Sequence, residues 1–409
     1  MQYERAFAKT QNPQRKTRSV LCVAMANPFV YGRLLRPDEL IDREEELALL
    51  TERLVDGARH FLIGPRRFGK SSLLRVAADR AGAAGTPCVT LNLEEHTSLD
   101  AAAGSLAAGV AELFAPTLRE RMLRVSEWFA ALKPVTEYDP MTDAVKVSVA
   151  PRDRAPAAQS LADALAAADA VAESRGTVVG VVLDEFQVVN DFGGLAAERQ
   201  LRAVIQRHEH LSYVFAGSQA SMLLAMISDH ARPFYRLGDA QFLGPVPRAN
   251  FSAFITDAFA RRRQTIAPEA LTELFATCED VPYNVQRLCA GLWSRHRERA
   301  GAVLAKADVD EALATILDRG HAQHLALFLT FTQQQRKVLA GMAAGDALDE
   351  QTTRVARRLG IAVSTYRTAR TSFLRQDILY ERFGPGQTTR RYAFVDPFFK
   401  RWLRRFVRG

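Results

Sequence analysis

From Gly64 to Ser72 the chain reads Gly-Pro-Arg-Arg-Phe-Gly-Lys-Ser-Ser. Its spacing is G-x-x-x-x-G-K-[ST] at every fixed position, a pattern that cradles phosphate. Gly64 and Gly69 would let the backbone curl so that successive N–H groups face inward. A helix starting near Lys70 would add the positive end of its dipole. Lys70 would reach the β- and γ-phosphates of a nucleotide, and the Ser71 hydroxyl would ligate Mg²⁺. Pro65, Arg66, Arg67, Phe68 and Ser72 complete the expected binding loop.

A second constellation, Val178-Val179-Gly180-Val181-Val182-Leu183-Asp184-Glu185-Phe186-Gln187, is an apolar run ending in paired acids. In a parallel sheet it would set Asp184 at the C-terminal edge, beside the phosphate loop. Asp184 is expected to hold Mg²⁺, directly or through water. Glu185 is expected to polarise the attacking water as general base. Such a pair is a weak signal alone and a strong one downstream of a matching loop.

Three further stretches could complete the chemistry. Ala216-Gly217-Ser218-Gln219 ends another apolar run, and Ser218 there could sense the γ-phosphate or simply cap a helix. In Arg232-Pro233-Phe234-Tyr235-Arg236, Arg236 first and Arg232 second could face the nucleotide of a neighbouring subunit, or lie on the surface in a salt bridge. Asp280-Val281-Pro282-Tyr283-Asn284 opens a helix that could lie against the nucleotide, with Pro282 as the contact.

The elements that must position these residues follow from periodicity. Asp42, with Glu45 three residues on, reads as a capping box for a helix Arg43–Val55. Short apolar runs at 60–63, 87–93, 177–183, 211–216 and 241–246 read as strands, the third lacking alternation as a strand buried on both faces does. Helical spacings at 101–114, 160–174 and 195–208 lie between them, which implies a parallel five-stranded sheet with helices on both faces. Residues 115–156 read as an insertion with a helix at 118–132 and two β-like pieces, covering the sheet edge or meeting a partner. After Pro247 the pattern turns helical, with a helix opened by Asn250 or Ser252, another starting near Pro268 and a third at 285–297. Three short helices, two strands around Gly384-Pro385-Gly386 and a last helix at 397–407 have the order of a winged helix. The expected domains are a disordered or non-native lead (1–26, with Met25 as an alternative start), an ATPase core (27–246), a helical lid (247–320) and a winged helix (325–409).

The 409 residues carry a net charge of +8. The surplus is local: residues 351–409 hold fourteen Lys/Arg and three Asp/Glu. That asymmetry points to an anionic partner, DNA first, or to a solvated basic face. Arg367 and Arg370 on the expected recognition helix, Arg390 and Arg391 on the wing, and Lys400, Arg401, Arg404, Arg405 and Arg408 near the end are the candidate contacts. No apolar run approaches the ~20 residues of a membrane span. The lead lacks a secretory core, and the four cysteines (Cys22, Cys88, Cys278, Cys289) lack metal-ligand spacing, so a reduced cytoplasm is expected.

The chain resembles the archaeal-type ATPase family of the STAND branch of AAA+ P-loop ATPases. Asn27-Pro28-Phe29 with Tyr31-Gly32, Asp42-Arg43-Glu44, the phosphate loop, Leu183-Asp184-Glu185-Phe186-Gln187, Gly217-Ser218, Pro233-Phe234-Tyr235-Arg236, Val281-Pro282-Tyr283 and Asp396-Pro397-Phe398-Phe399-Lys400-Arg401-Trp402 carry the likeness. It implies a slow ATPase switch that changes shape or oligomerises with nucleotide. Asp280 departs from the pattern, standing where many relatives carry glycine. ATP and Mg²⁺ are then the expected ligands. The expected partner is DNA, a protein effector or further copies of the chain. The alternative output is a signalling ATPase whose winged helix is autoinhibitory or binds protein.

Overall fold

The computed structural model describes residues 26–142, 144–150, 156–297, 299, 301–345, 352–382 and 391–407. The expectations for the lead, Cys22, the Gly384–Gly386 loop, Arg390 and Arg408 lie outside the described residues.

The first part of the chain alternates helix and strand. Its elements are α1 (Glu44–Val55), β1 (Arg59–Ile63), α2 (Lys70–Ala83), β2 (Cys88–Asn92), α3 (Leu99–Phe114), α4 (Leu118–Trp128), β3 (Val135–Asp139) and β4 (Ala144–Ser148). They continue with α5 (Gln159–Arg175), β5 (Val179–Asp184), α6 (Val189–Ile205), β6 (Leu211–Gly217), α7 (Ala220–Ser228) and β7 (Asp239–Phe242). Five strands form one parallel sheet in the order β2-β5-β6-β1-β7. Side chains alternate faces along a strand. Phe61, Val181, Leu183, Tyr213 and Phe215 thus join α3, α5 and α6 on one face, and Leu62, Val182, Val214 and Ala216 join α1 and α2 on the other. This is an α/β fold, a parallel five-stranded sheet with helices on both faces.

Register sets the site. Ile63 pairs with Gly217, and Leu183 with Phe215, so β1, β5 and β6 end at one level of the sheet edge. The loops carrying Lys70, Asp184 and Ser218 leave from that edge, where open α/β sheets bind ligands.

The rest is mainly helical: α8 (Arg248–Ala260), β8 (Thr265–Ile266), α9 (Pro268–Cys278), α10 (Pro282–Arg295), β9 (Val303–Leu304), α11 (Lys306–Arg319) and α12 (His321–Thr330). Then follow α13 (Gln333–Ala344), α14 (Thr352–Arg358), α15 (Val363–Arg375), the antiparallel pair β10 (Leu379–Arg382) and β11 (Arg391–Phe394), and α16 (Pro397–Phe406). One apolar cluster runs from Phe29 through α8–α11 to Phe373, Phe399 and Trp402. Tyr380, Ala393 and Val395 instead enter the α1/α2 face of the sheet core, so the C-terminal unit is docked on that core.

Several local readings are corrected. Asp42 sits at φ 50° and caps nothing, because an N-cap needs extended backbone. α1 starts at Glu44, while Arg43 is drawn to the Gly244 carbonyl at 2.7 Å and to Glu46. The fifth strand is Asp239–Phe242, shorter and earlier than 241–246. α6 begins at Val189 and breaks at Gly194, φ 54°. α8 opens at Arg248 behind Pro247, not at Asn250 or Ser252. The insertion packs on α3, which in turn lies on the edge strand β2. A Cβ on Gly104 would lie 2.2 Å from the Val147 carbonyl oxygen, so α3 needs glycine to seat β4.

Candidate nucleotide site

The phosphate loop takes its curl from two residues in left-handed backbone, Arg67 (φ 72°) and Gly69 (φ 89°), the latter leading straight into α2. Gly64 does not contribute a positive φ. It is glycine for space, since a Cβ there would meet the Leu243 Cβ at 2.8 Å.

Lys70, 5% exposed, sends its ammonium to both acids of the β5 end: Asp184 and, at 2.8 Å, Glu185 Oε1. The Ser71 hydroxyl donates to Asp184 Oδ2 at 2.7 Å. The two sequence constellations therefore meet at one point. The other Glu185 oxygen, Oε2, accepts from Gln187 Nε2 (2.6 Å), Ser218 Oγ (2.8 Å) and Ser218 N–H (3.1 Å). Burial pushes the Glu185 carboxyl up, but Lys70 and these donors outweigh it and hold it down at about 2. Ser218 thus touches the expected base. Gln187 is an actor that the sequence reading left unassigned.

A cavity of roughly 680 Å³ opens in front of this cluster. That is the size of a small-ligand site. The 30–43 segment, the phosphate loop with Ser72, the start of α10 and the turn 376–378 wall it. Pro282 is the first residue of α10 and lines the cavity, and the Tyr283 N–H donates to the Arg67 carbonyl at 3.3 Å. Tyr31 and Tyr283 meet edge to face, centroids 5.8 Å apart, within the same wall. The expected contact through Pro282 thus lies on the cavity wall, while Tyr31 and Tyr283 entered the sequence only as part of the family likeness; ahead of them the Asn27 side chain accepts from the Phe29 N–H. Ser72 also accepts from the Leu35 N–H at 3.0 Å, tying that segment to α2.

The loop arginines reach the C-terminal unit. Arg67 pairs with Asp396 at 2.7 Å, and Arg66 pairs with Asp377 at 2.9 Å and with Glu94. Phe68 packs edge to face on Tyr380, centroids 5.8 Å apart. Asp396 caps α16 through the Phe398 N–H and accepts from Asn284 of α10 at 3.0 Å. Asp280, at φ 60°, occupies backbone that glycine reaches freely and uses its carboxylate on Arg248.

Other candidates lie elsewhere. Arg232 is tied to the buried Glu198 and to Asn190 at 3.1 Å, so it is a structural salt bridge. Arg236 is exposed, φ 53°, over the ring of its neighbour Tyr235, and is not part of the cavity wall. On α15, Arg367 is exposed and Arg370 lies over Tyr392 at 4.6 Å, while Arg391 is exposed on β11. The cations of α16 find partners within the chain: buried Lys400 with Glu279 (2.6 Å), Arg401 with the Ala276 carbonyl (3.1 Å), and the exposed Arg404 and Arg405 with the Ala343 carbonyl and Asp318 (3.1 Å). These contacts tie α16 to α9, α11 and α13.

The donor set suits a nucleotide-borne divalent cation. No group of three or more His, Cys, Asp or Glu among the described residues could hold a metal alone. Mg²⁺ characteristically takes one or two protein oxygens plus substrate phosphates, which Ser71 Oγ and Asp184 Oδ2 would supply here.

The Walker-type ATPase PABY2304 of Pyrococcus abyssi aligns over 92% of this chain and 99% of its own, with TM-score 0.61 and 17% identity. At that identity the likeness is one of fold. The Aeropyrum pernix Orc1 protein in complex with DNA aligns over 90% and 93%, TM-score 0.46 and 15% identity. The Thermotoga maritima RuvB Holliday junction branch migration motor aligns over 88% and 96%, TM-score 0.42 and 14% identity. Neither the scan of protein-family models nor the search of curated proteins finds a match. No helix among the described residues is long and apolar enough to cross a membrane.

Proposed function

We propose that the chain is an ATP-binding, slowly hydrolysing switch in which the C-terminal unit, read as a winged helix over 325–409, senses the phosphate loop. The observation that carries this is the convergence of Lys70, Ser71, Asp184 and Glu185 on one point at the sheet edge. Triphosphate oxygens entering the loop would take over the Lys70 ammonium. Ser71 and Asp184 would hold Mg²⁺, which neutralises charge on the β- and γ-phosphates when bound. Glu185 would then orient and deprotonate the water. Arg236, exposed ahead of β7, is the candidate to reach a neighbouring copy's nucleotide in an oligomer.

Two outputs follow. In the first, α15, through exposed Arg367 and half-buried Arg370, contacts DNA together with Arg391 of β11. In the second, the unit restrains the loop or binds a protein. The ion pairs of Arg66 and Arg67 with Asp377 and Asp396 favour restraint in this conformation, and release of α15 from the core would serve either output.

Calorimetric ATP titration tests the site. Lys70→Ala should weaken binding by at least ~100-fold, because its two acids lose their cation. Glu185→Gln should keep binding while slowing phosphate release by roughly 10²- to 10⁴-fold. ATP affinity unchanged in Lys70→Ala would overturn the proposal.

A further inference from the structure

We infer that Gln187 is a positioning residue for Glu185: together with Ser218 it ties down Oε2, so that Oε1 alone faces the phosphates and takes the proton. The inference rests on the ATPase reading above.

The geometry is specific. All three Oε2 donors come from Gln187 and Ser218, and both residues are buried, 3% and 5% exposed. Oε1 is instead held by Lys70, the one group that incoming phosphate would draw away. The backbone is shaped for this clasp. Glu185 sits in left-handed backbone (φ 52°, ψ 42°), a costly conformation for a side chain of its size. Phe186 anchors the turn in the sheet core, 4.7 Å from Phe215 and 5.2 Å from Phe234. Its neighbours on either side are thereby fixed, and their polar ends meet. Gly217 completes the fit: a Cβ there would lie 2.0 Å from Gln187 Oε1, so the amide seats only against bare backbone. A glutamine present merely to fill space would not need a bare strand end and a strained turn together.

In the step itself, the water oxygen bonds to the γ-phosphorus and its proton passes to Glu185 Oε1. The bond from the γ-phosphorus to the bridging oxygen breaks, and its electron pair leaves with ADP. Donors on Oε2 favour the ionised carboxylate. The charged groups facing it are Lys70 of α2, Asp184 of β5, Arg66 of the phosphate loop and Asp377 ahead of β10.

The test is steady-state phosphate release by the full chain over a range of ATP concentrations, for the native protein, Gln187→Met, Gly217→Ala and Glu185→Gln. Gln187→Met keeps length and loses the donor. Its kcat should fall about tenfold with KM for ATP little changed. ATP affinity measured by calorimetry should stay native in the same variant, since Gln187 donates to Glu185 rather than to the phosphate loop. Gly217→Ala, which pushes the amide aside, should lower kcat in the same way with KM little changed, and carries the test if Gln187→Met does not fold. A folded variant of either kind with the native kcat overturns the inference, as does a rise in KM at constant kcat. Turnover that survives Glu185→Gln would overturn the ATPase reading instead.

Discussion

Two aspartates of the C-terminal unit grip two neighbouring arginines of the phosphate loop, yet they stand in opposite electrostatic conditions. At Asp396, burial pushes the carboxyl up but Arg67 wins, aided by Asn284 and the Phe398 N–H, so it is held below the usual range. At Asp377, burial prevails over Arg66, and the nearby Glu185 and Glu94 carboxylates add to it, raising it to about 6. The same pair of residue types thus makes a lock in one place and a costly contact in the other. The difference lies in the extra donors: Asp396 has a helix N-terminus and an amide, whereas Asp377 has acidic neighbours.

That contrast breaks most readily at Asp396. Asp396→Ala removes the Arg67 partner, the α16 cap and the Asn284 bond together, and should cost about 2 kcal/mol in chemical denaturation. Asp377→Asn should do the reverse. Asparagine tolerates the residue's φ of 52° and carries no buried charge, so stability at pH 7.5 should rise by about 1 kcal/mol. A loss of stability there would mean that the Arg66 pair is a lock as well.

The pH dependence has a defined sign. A carboxyl whose pKa is raised from 3.8 to about 6 by folding binds more protons in the folded state, so its contribution falls as pH rises through that window. The stability gap between Asp377→Asn and the native chain should open from about pH 4 to about pH 6 and stay level above. A gap independent of pH would erase the distinction between the two pairs.

The smallest effect on stability belongs to an arginine outside both pairs. Arg367→Glu, on an exposed face, should change stability by no more than about 0.5 kcal/mol. If α15 meets DNA, the same substitution and Arg370→Glu should weaken a gel shift and flatten its salt dependence. Binding indifferent to both substitutions would leave restraint of the loop as the unit's role.

Much of the site was legible because its rules are local. The spacing of Gly64, Gly69, Lys70 and Ser71 specifies a turn and a helix start, and an unalternating run before Asp184 specifies a buried strand. Pro268 and Pro397 marked helix starts for the same reason, lacking an N–H that a helix start leaves unused. Asp42 shows where such rules stop. Its capping box was well spaced, but tertiary pull on Arg43 from Gly244, about two hundred residues away, set another backbone there. Charge counting was limited in a similar way. It located fourteen cations after residue 350, but not that those of α16 would be spent on Glu279, Asp318 and helix-end carbonyls.

By itself the sequence determined a parallel sheet, a phosphate loop and two acids fit to face it, since each follows from neighbours within a few residues. Only the tertiary structure decided that Arg66 and Arg67 would turn to Asp377 and Asp396, that Gln187 would share Glu185 with Ser218, and that Gly217 must be bare. Those choices depend on which strand ends and helix starts arrive at the same place, and on the energy of charges and amides buried there together. No local spacing contains that information.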